Sequence, residues 1–66
     1  MVSNLNLEKT NITDEQLFLI TKKTKYLQSL NLYCCWKITN EGIIKMSENL
    51  HLLSSLDLTW CDKITN

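Results

Sequence analysis

Three cysteines and one histidine are the residues whose types could support metal or thiol chemistry. Cys35 and Cys61 are 26 residues apart, Cys34 directly precedes Cys35, and His51 is the single histidine. Structural zinc sites draw such ligands from closely spaced pairs, commonly C-x-x-C, and that spacing is absent here. His51 is also predicted to lie at the far end of a helix. We therefore expect no metal, and we expect Cys35 and Cys61 to be buried as small apolar side chains, about 5 Å apart on neighbouring strands.

No other arrangement of residues predicts catalysis. Cys34 is expected at an outward or rim position, with no neighbouring base or helix N-terminus evident to activate its thiol. Adjacent cysteines rarely bond to each other, and their odd total argues against a disulfide framework. No serine lies in a glycine-flanked elbow, the carboxylates are scattered, and the single glycine, Gly42, excludes a glycine-rich phosphate loop. These observations predict a protein that is not an enzyme and has no cofactor.

The composition of the 66 residues excludes several further classes of protein. Seven lysines balance seven acidic residues, and a net charge of zero gives no support for binding nucleic acid or an anionic membrane. Hydrophobic residues make up 44 per cent, which is typical of a folded domain, yet no run approaches the length of a membrane span. The N-terminus lacks the basic and apolar regions of a signal peptide. We expect a cytoplasmic or nuclear protein.

The chain contains an internal repeat, which predicts the elements that carry these residues. Three segments share one apolar pattern, with offsets of 25 and 26 residues: Val2-x-x-Leu5-x-Leu7, Leu27-x-x-Leu30-x-Leu32 and Leu53-x-x-Leu56-x-Leu58. Each segment is followed by an Ile-Thr pair, at residues 12–13, 38–39 and 64–65. Three residues after the last leucine of each segment lie Thr10, Cys35 and Cys61.

This pattern resembles the leucine-rich repeat, and more narrowly its cysteine-containing subclass, L-x-x-L-x-L-x-x-C-x-x-I-T-D/N-x-G followed by a helix. Residues 27–42 match at every anchor position, with Asn40 at the Asp/Asn site and Gly42 at the glycine. Residues 53–66 match as far as they extend, whereas residues 2–26 have Thr10 for the cysteine and Gln16 for the glycine. The subclass is similar to the repeats of F-box proteins, in which the repeats select substrates for a cullin-RING ubiquitin ligase.

The resemblance implies an α/β fold, a leucine-rich repeat solenoid that forms a right-handed β/α superhelix of about two and a half repeats. Parallel strands would line its concave side and helices its convex side. The residues agree with this fold, because both leucines of L-x-L face the same side of a strand. Thr13 and Gln16 have the spacing of a capping box at the start of a helix. Six positions at helical spacing would form the inward face of two helices: Leu17, Ile20, Thr24, Ile43, Met46 and Leu50.

Side chains that point outward from the predicted strands form the candidate protein-binding surface. Its members, on the concave face and its rim, are Asn6, Glu8, Asn31, Tyr33, Trp36, Asp57, Thr59 and Trp60. Aromatic side chains are enriched at interaction hot spots, so Tyr33, Trp36 and Trp60 are the expected anchors along one rim. The alternative is that one or both tryptophans cover a strand-to-helix turn against a neighbouring repeat.

We expect residues 1–66 to form a single leucine-rich repeat segment, divided into repeats 2–26, 27–52 and a truncated 53–66. Two and a half repeats is below the three or so that a solenoid needs, so the segment is expected to be a fragment of a longer array or to self-associate through its exposed ends. The expected function is a protein–protein interaction module, specifically a substrate-recognition fragment of an SCF-type E3 ubiquitin ligase receptor without the F-box itself. The alternatives are a leucine-rich repeat scaffold or recognition protein unrelated to ubiquitination, and a small metal-binding or thiol-redox protein.

Overall fold

The chain alternates short strands with helices. A computed structural model describes residues 3–64; Val2, Thr65 and Asn66, which complete the predicted repeats, lie outside the described residues. The elements in chain order are β1 (Asn4–Asn6), α1 (Asp14–Lys23), β2 (Ser29–Asn31), α2 (Asn40–Ser47) and β3 (Ser55–Asp57). We refer to the three repeating units as coil 1 (3–26), coil 2 (27–52) and coil 3 (53–64). The predicted α/β class is confirmed.

The three strands form one parallel sheet in the order β1-β2-β3. Leu30 is paired with Leu5 on one side and with Leu56 on the other, so the register equals the sequence offsets of the repeat. Backbone pairing continues past the strand ends, since the Leu7 amide donates to the Asn31 carbonyl at 2.9 Å and the Lys9 amide donates to the Tyr33 carbonyl at 2.7 Å. The parallel arrangement follows from the helical crossover that leads each strand to the next.

Each strand leads into a residue with left-handed backbone conformation. Lys9, Cys34 and Trp60 have φ angles of 58°, 63° and 62°, and they occupy the same position in the three coils. Glycine is the residue that usually tolerates this conformation, and none of the three is glycine. The surrounding backbone stabilises it, because the amides of Lys9 and Cys34 are hydrogen-bonded to carbonyls of the next coil. The turn is therefore a repeated feature of the fold that the sequence pattern did not reveal.

The hydrophobic core lies between the sheet and the two helices, and coil 2 is its best-covered part. Leu30 is buried, whereas its partners Leu5 and Leu56 on the outer strands are only partly buried. Coil 2 has a neighbour on both sides, and the other two coils have one each among the described residues. The buried apolar side chains are Ile12, Leu17, Leu27, Leu30, Leu32, Cys35, Ile38, Met46, Leu50 and Cys61.

The predicted inward face of the helices is largely confirmed. Three of its six residues are buried: Leu17, Met46 and Leu50. The other three are partly buried: Ile20, Thr24 and Ile43. The prediction missed Thr21, which is fully buried because its hydroxyl donates to the Leu17 carbonyl at 2.9 Å and accepts from Asn49 Nδ2 at 3.2 Å. Thr21 lies four residues after Leu17, so helical spacing places it on the inward face, and these hydrogen bonds let a polar side chain occupy that buried position.

Helix α1 caps its own N-terminus. The Gln16 amide donates to Thr13 Oγ1 at 3.3 Å, and the Thr13 amide donates to Gln16 Oε1 at 3.1 Å. This reciprocal pair is the capping box predicted from the sequence, and it satisfies amides that have no partner within the helix.

Helix α2 begins differently. The amide of its N-cap residue, Thr39, is bound by a residue of the preceding coil, where α1 uses Gln16 of its own helix. The Thr39 amide donates to Asp14 Oδ1 at 2.8 Å, and the Thr39 hydroxyl donates to Asp14 Oδ2. Thr39 makes no side-chain bond to its own helix. Gly42 leaves room for this carboxylate, since a Cβ added there would lie 2.5 Å from Asp14 Cγ. The motif glycine is thus explained by the close approach of Asp14, and coil 1 and coil 2 are joined at this point.

Candidate protein-binding face and rim

The strand ends carry three of the predicted binding residues in one row. Asn6, Asn31 and Asp57 are aligned by the sheet register. In each of them, Oδ1 accepts a hydrogen bond from the backbone amide two residues later, at 3.0, 2.9 and 2.9 Å. These Asx turns end the strands, so all three residues have a structural role in addition to their outward position. The structure aligns the three residues as predicted.

The next outward position in each coil is occupied by Glu8, Tyr33 and Thr59. Glu8 and Thr59 are exposed and Tyr33 is partly buried. Asn31 Nδ2 donates to Glu8 Oε2 at 3.4 Å, which links coil 1 to coil 2 across this face. Hydrogen bonds from the side chain and the backbone amide of Thr59 hold the pKa of Asp57 below its usual value. Glu8 and Asp57 give the face an acidic character, and the aligned polar positions supply hydrogen-bonding groups between them.

Both tryptophans retain a large accessible surface. Trp36 is 45 per cent exposed and Trp60 is 66 per cent exposed. Their positions differ, because Trp60 has the left-handed conformation at the strand end of coil 3, whereas Trp36 follows the buried Cys35 of coil 2. The exposed fractions show that neither tryptophan is fully covered by a neighbouring coil. Exposed indole rings next to a polar strand face are typical of hot-spot residues.

The two buried cysteines hold adjacent coils together. Cys35 Sγ donates to the Leu7 carbonyl at 3.1 Å, and Cys61 Sγ donates to the Leu32 carbonyl at 3.0 Å. Burial raises the pKa of the Cys61 thiol, which keeps the donor proton in place. Their predicted burial is confirmed, but a description as apolar fillers is incomplete, because each thiol satisfies a carbonyl of the coil before it. In coil 1, Thr10 replaces the cysteine, and its hydroxyl donates to the Leu7 carbonyl at 2.8 Å.

The other residues considered for metal or thiol chemistry lie apart from one another. Cys34 is a free, partly buried thiol in the left-handed turn, and His51 is exposed after α2. Among residues 3–64, no group of three or more histidine, cysteine or acidic side chains is placed to hold a metal ion.

A groove between the two helices was not predicted. It has a volume of about 560 Å³ and is lined by Asp14, Glu15, Phe18, Lys45 and Glu48. Phe18 and Glu15 lie one turn apart on α1. Lys45 lies in the last turn of α2 and Glu48 caps its C-terminus, so the spacing places each pair on one face. Only the packing of α1 beside α2 brings the two pairs together. The groove lies on the helical side of the protein, away from the strand face.

The sequence pattern of the family described as Leucine Rich repeat matches residues 24–47 and 49–66, which is more than half of the chain. The chain belongs to the leucine-rich repeat family. The small α/β fold with its parallel three-stranded sheet agrees with that family. No curated protein and no solved structure matches the chain significantly.

Leucine-rich repeats generally mediate protein–protein interactions, so membership of the family indicates a protein partner. Across residues 3–64, neither helix has the length or the apolar character needed to cross a lipid bilayer.

Proposed function

We propose that this leucine-rich repeat protein is a recognition module that binds a protein partner through its strand face and the adjoining rim. The binding residues are Asn6, Glu8, Asn31, Tyr33, Trp36, Asp57, Thr59 and Trp60. The observation that carries the proposal is the exposure of Trp36 and Trp60 in the turns that follow β2 and β3. An exposed tryptophan has a large apolar surface to bury on binding, and such residues commonly dominate interface energies.

The chemistry of the face indicates what a partner would present. Glu8 and Asp57 are acidic, no lysine belongs to the outward row, and the Asn31 amide already spans to Glu8. A complementary segment would carry basic groups and hydrogen-bond donors opposite this row, with apolar side chains opposite the two indole rings. The face has no arrangement of groups for catalysis, and we propose that the protein acts by binding and is not an enzyme.

More specifically, we propose that the protein belongs to the cysteine-containing subclass and is a substrate-recognition segment of an SCF-type E3 ubiquitin ligase receptor, in the cytoplasm or nucleus. Support comes from Cys35 and Cys61, which occupy the subclass position and bridge adjacent coils. Further support comes from Gly42, whose place in the motif is explained by Asp14. An F-box would have to lie outside these 66 residues. The alternative function is a leucine-rich repeat scaffold or recognition protein unrelated to ubiquitination.

We also propose that the coils are part of a longer right-handed solenoid with the strands on its concave side, or that copies of the chain self-associate through the coil edges. The support is the open backbone of β1 and β3, each of which has a partner strand on one side only among the described residues. An unpaired strand edge is a template for a further strand.

The binding proposal is tested by capturing partners from cytoplasmic and nuclear extracts with three versions of the chain. The wild type is compared with Trp36→Ala/Trp60→Ala and with Ile44→Ala, which removes a residue that is 62 per cent exposed on helix α2. We expect quantitative mass spectrometry to find at least one protein retained by the wild type and the Ile44 variant and lost, by roughly tenfold or more, with the tryptophan variant. Equal retention by all three versions contradicts a role for the rim.

The ligase proposal is tested on a partner identified in this way. If the chain serves a ubiquitin ligase receptor, deletion of its gene should raise the partner's abundance and lower its polyubiquitination. The tryptophan variant should fail to restore both, while the Ile44 variant restores them. A partner that binds through the rim but whose abundance and ubiquitination do not change would favour the scaffold alternative and leave the binding role intact.

A further inference from the structure

The backbone amide of the residue before each helix donates to one of two acceptors, one in its own coil and one in the preceding coil. In coil 1, the Thr13 amide donates to Gln16 Oε1 at 3.1 Å, within the same coil. In coil 2, the equivalent Thr39 amide donates at 2.8 Å to Asp14 Oδ1, which belongs to the preceding coil. Each amide has one proton to donate, so the bond within the coil and the bond to a preceding coil exclude each other.

The residue at the third position of each helix decides between the two bonds. That residue is Gln16 in α1 and Gly42 in α2. The backbones before the two helices are alike, since Thr13 has φ −97° and ψ 167° and Thr39 has φ −113° and ψ 175°. A Cβ on Gly42 would lie 2.5 Å from the Asp14 carboxyl carbon. The side chain of Gln16 therefore fills the space that a preceding coil's Asp or Asn would need.

We propose that Gln16 closes the β1–α1 side of the protein to any leucine-rich coil with Asp or Asn at the Asp14 position, so that such coils stack only on the β3 side. Both requirements of the coil 1–coil 2 junction are missing on the closed side: the space beside the helix start is filled, and the Thr13 amide is already bonded. A second copy of this chain is the occupant excluded most directly, because its third repeat carries Asn66 at that sequence position.

This inference bears on the two assemblies proposed above: it excludes head-to-tail self-association of copies and leaves the stacking of further coils on the β3 side of a longer array. It does not involve the strand face or the tryptophan rim, so partner capture and self-association can fail independently. It also assigns different roles to the two departures of coil 1 from the repeat pattern. Thr10 donates within its own coil to the Leu7 carbonyl, which Cys35 reaches from the next coil, whereas Gln16 replaces a junction by a self-contained cap.

Two substitutions in the full chain test the closure directly. Gln16→Ala and Gln16→Gly both remove the capping box, but only the glycine variant frees the space for another coil. We expect sedimentation velocity at rising protein concentration to give the same species for the wild type and Gln16→Ala, and larger, concentration-dependent species for Gln16→Gly. Larger species already present with Gln16→Ala, or none with Gln16→Gly, would overturn the assignment to Gln16.

A second experiment tests the same exclusion inside the existing coil 1–coil 2 junction, in case the glycine variant does not fold. Gly42→Gln is made in the wild type and in Asp14→Ala. With Asp14 present we expect a large loss in the urea midpoint or no folding by circular dichroism. In the Asp14→Ala background we expect most of that loss to be recovered, because the introduced glutamine can then cap Thr39 as Gln16 caps Thr13. An equal loss in both backgrounds would overturn the proposal.

Discussion

The thiols of Cys35 and Cys61 show how single residues join neighbouring coils. Each is buried and donates a hydrogen bond to a carbonyl of the preceding coil, at residues 7 and 32. Each of these carbonyls also accepts a hydrogen bond from within its own coil, so the thiol of the next coil supplies a second donor. A side chain that is both small and able to donate suits this position. Thr10 supplies a donor to the Leu7 carbonyl from within coil 1. The position thus requires a donor and little volume, which cysteine and threonine both provide.

The raised pKa of Cys61 predicts a dependence of stability on pH. Desolvation favours the neutral thiol in the folded state, so this group's contribution to stability is complete below its ordinary pKa of 9.0 and is lost as the pH rises above that value toward the folded pKa. Cys61→Ser keeps a donor but does not titrate in this range. We expect the urea midpoint of the wild type, relative to Cys61→Ser, to fall between about pH 7.5 and about pH 10.

The alanine variant separates titration from the hydrogen bond. Cys61→Ala should show the same change in relative midpoint with pH as Cys61→Ser, with an added loss at every pH because the Leu32 carbonyl loses the thiol donor and keeps only the Cys35 amide. If the wild type and both variants change in parallel with pH, titration of the buried thiol does not contribute to stability.

At the scale of the elements, each strand ends in the same two steps. A side-chain oxygen of Asn6, Asn31 or Asp57 binds the amide two residues later, and the backbone then turns through a left-handed residue. For a residue other than glycine, the left-handed conformation costs about 1–2 kcal/mol. The cost is tolerated because the coil-to-coil hydrogen bonds extend through this turn.

Glycine at the left-handed position should stabilise the protein. Lys9 is exposed and has a φ of 58°, so Lys9→Gly removes the backbone strain without removing a buried side chain. The larger entropy of glycine in the unfolded chain offsets part of the gain, and we expect a net increase of about 0.5–1 kcal/mol in the free energy of unfolding.

The matched control is Lys37→Gly, since Lys37 is also exposed but does not have a positive φ. In this variant only the entropic effect of glycine remains, and we expect the free energy of unfolding, measured with urea, to fall by about 0.5–1 kcal/mol. A loss of stability in both variants would show that the left-handed turn carries no strain that glycine relieves.

At the scale of the whole molecule, stability is shared unevenly between the junctions of the coils. Coil 1 and coil 2 are joined by strand pairing, by helix packing and by the Asp14–Thr39 contact. Coil 3 joins coil 2 through β3 and Cys61, and its leucines Leu56 and Leu58 are only partly buried. Repeat proteins gain stability from nearest-neighbour contacts, so the junction with fewer contacts should open first.

Hydrogen exchange of four backbone amides tests this order. The Leu7 and Lys9 amides bond to coil 2, and the Leu32 and Cys34 amides bond to coil 3 at 2.9 and 2.8 Å. We expect the second pair to exchange faster by about tenfold or more, because coil 3 can detach without separating coils 1 and 2. The measured exchange rates of the four amides are first corrected for the intrinsic rates of their residue types in unfolded peptides. Equal protection of all four amides would indicate a single cooperative unit.

The repeat itself was predictable because its signals are local in the sequence. The L-x-L spacing, the Ile-Thr pairs and the Thr13–Gln16 box each involve residues within a few positions of one another, and they predict the strands, the helix starts and the parallel order of the sheet. The outward row could be predicted for the same reason, since side chains alternate along a strand. The leucine spacing, the Ile-Thr pairs and the outward row repeat with the period of the sequence, whereas the capping box is present in α1 and absent from α2.

The remaining features depend on contacts between residues about one coil apart. The thiol of Cys35 reaches a carbonyl 28 residues earlier, and Asp14 meets Thr39 across 25 residues. Whether Gln16 or a neighbouring carboxylate satisfies a helix start depends on space, which the packing of one coil on the next defines. Residue types and spacing predict which positions face the core, because that depends on backbone geometry alone. Which hydrogen bonds join the coils depends on distances that exist only after the chain has folded.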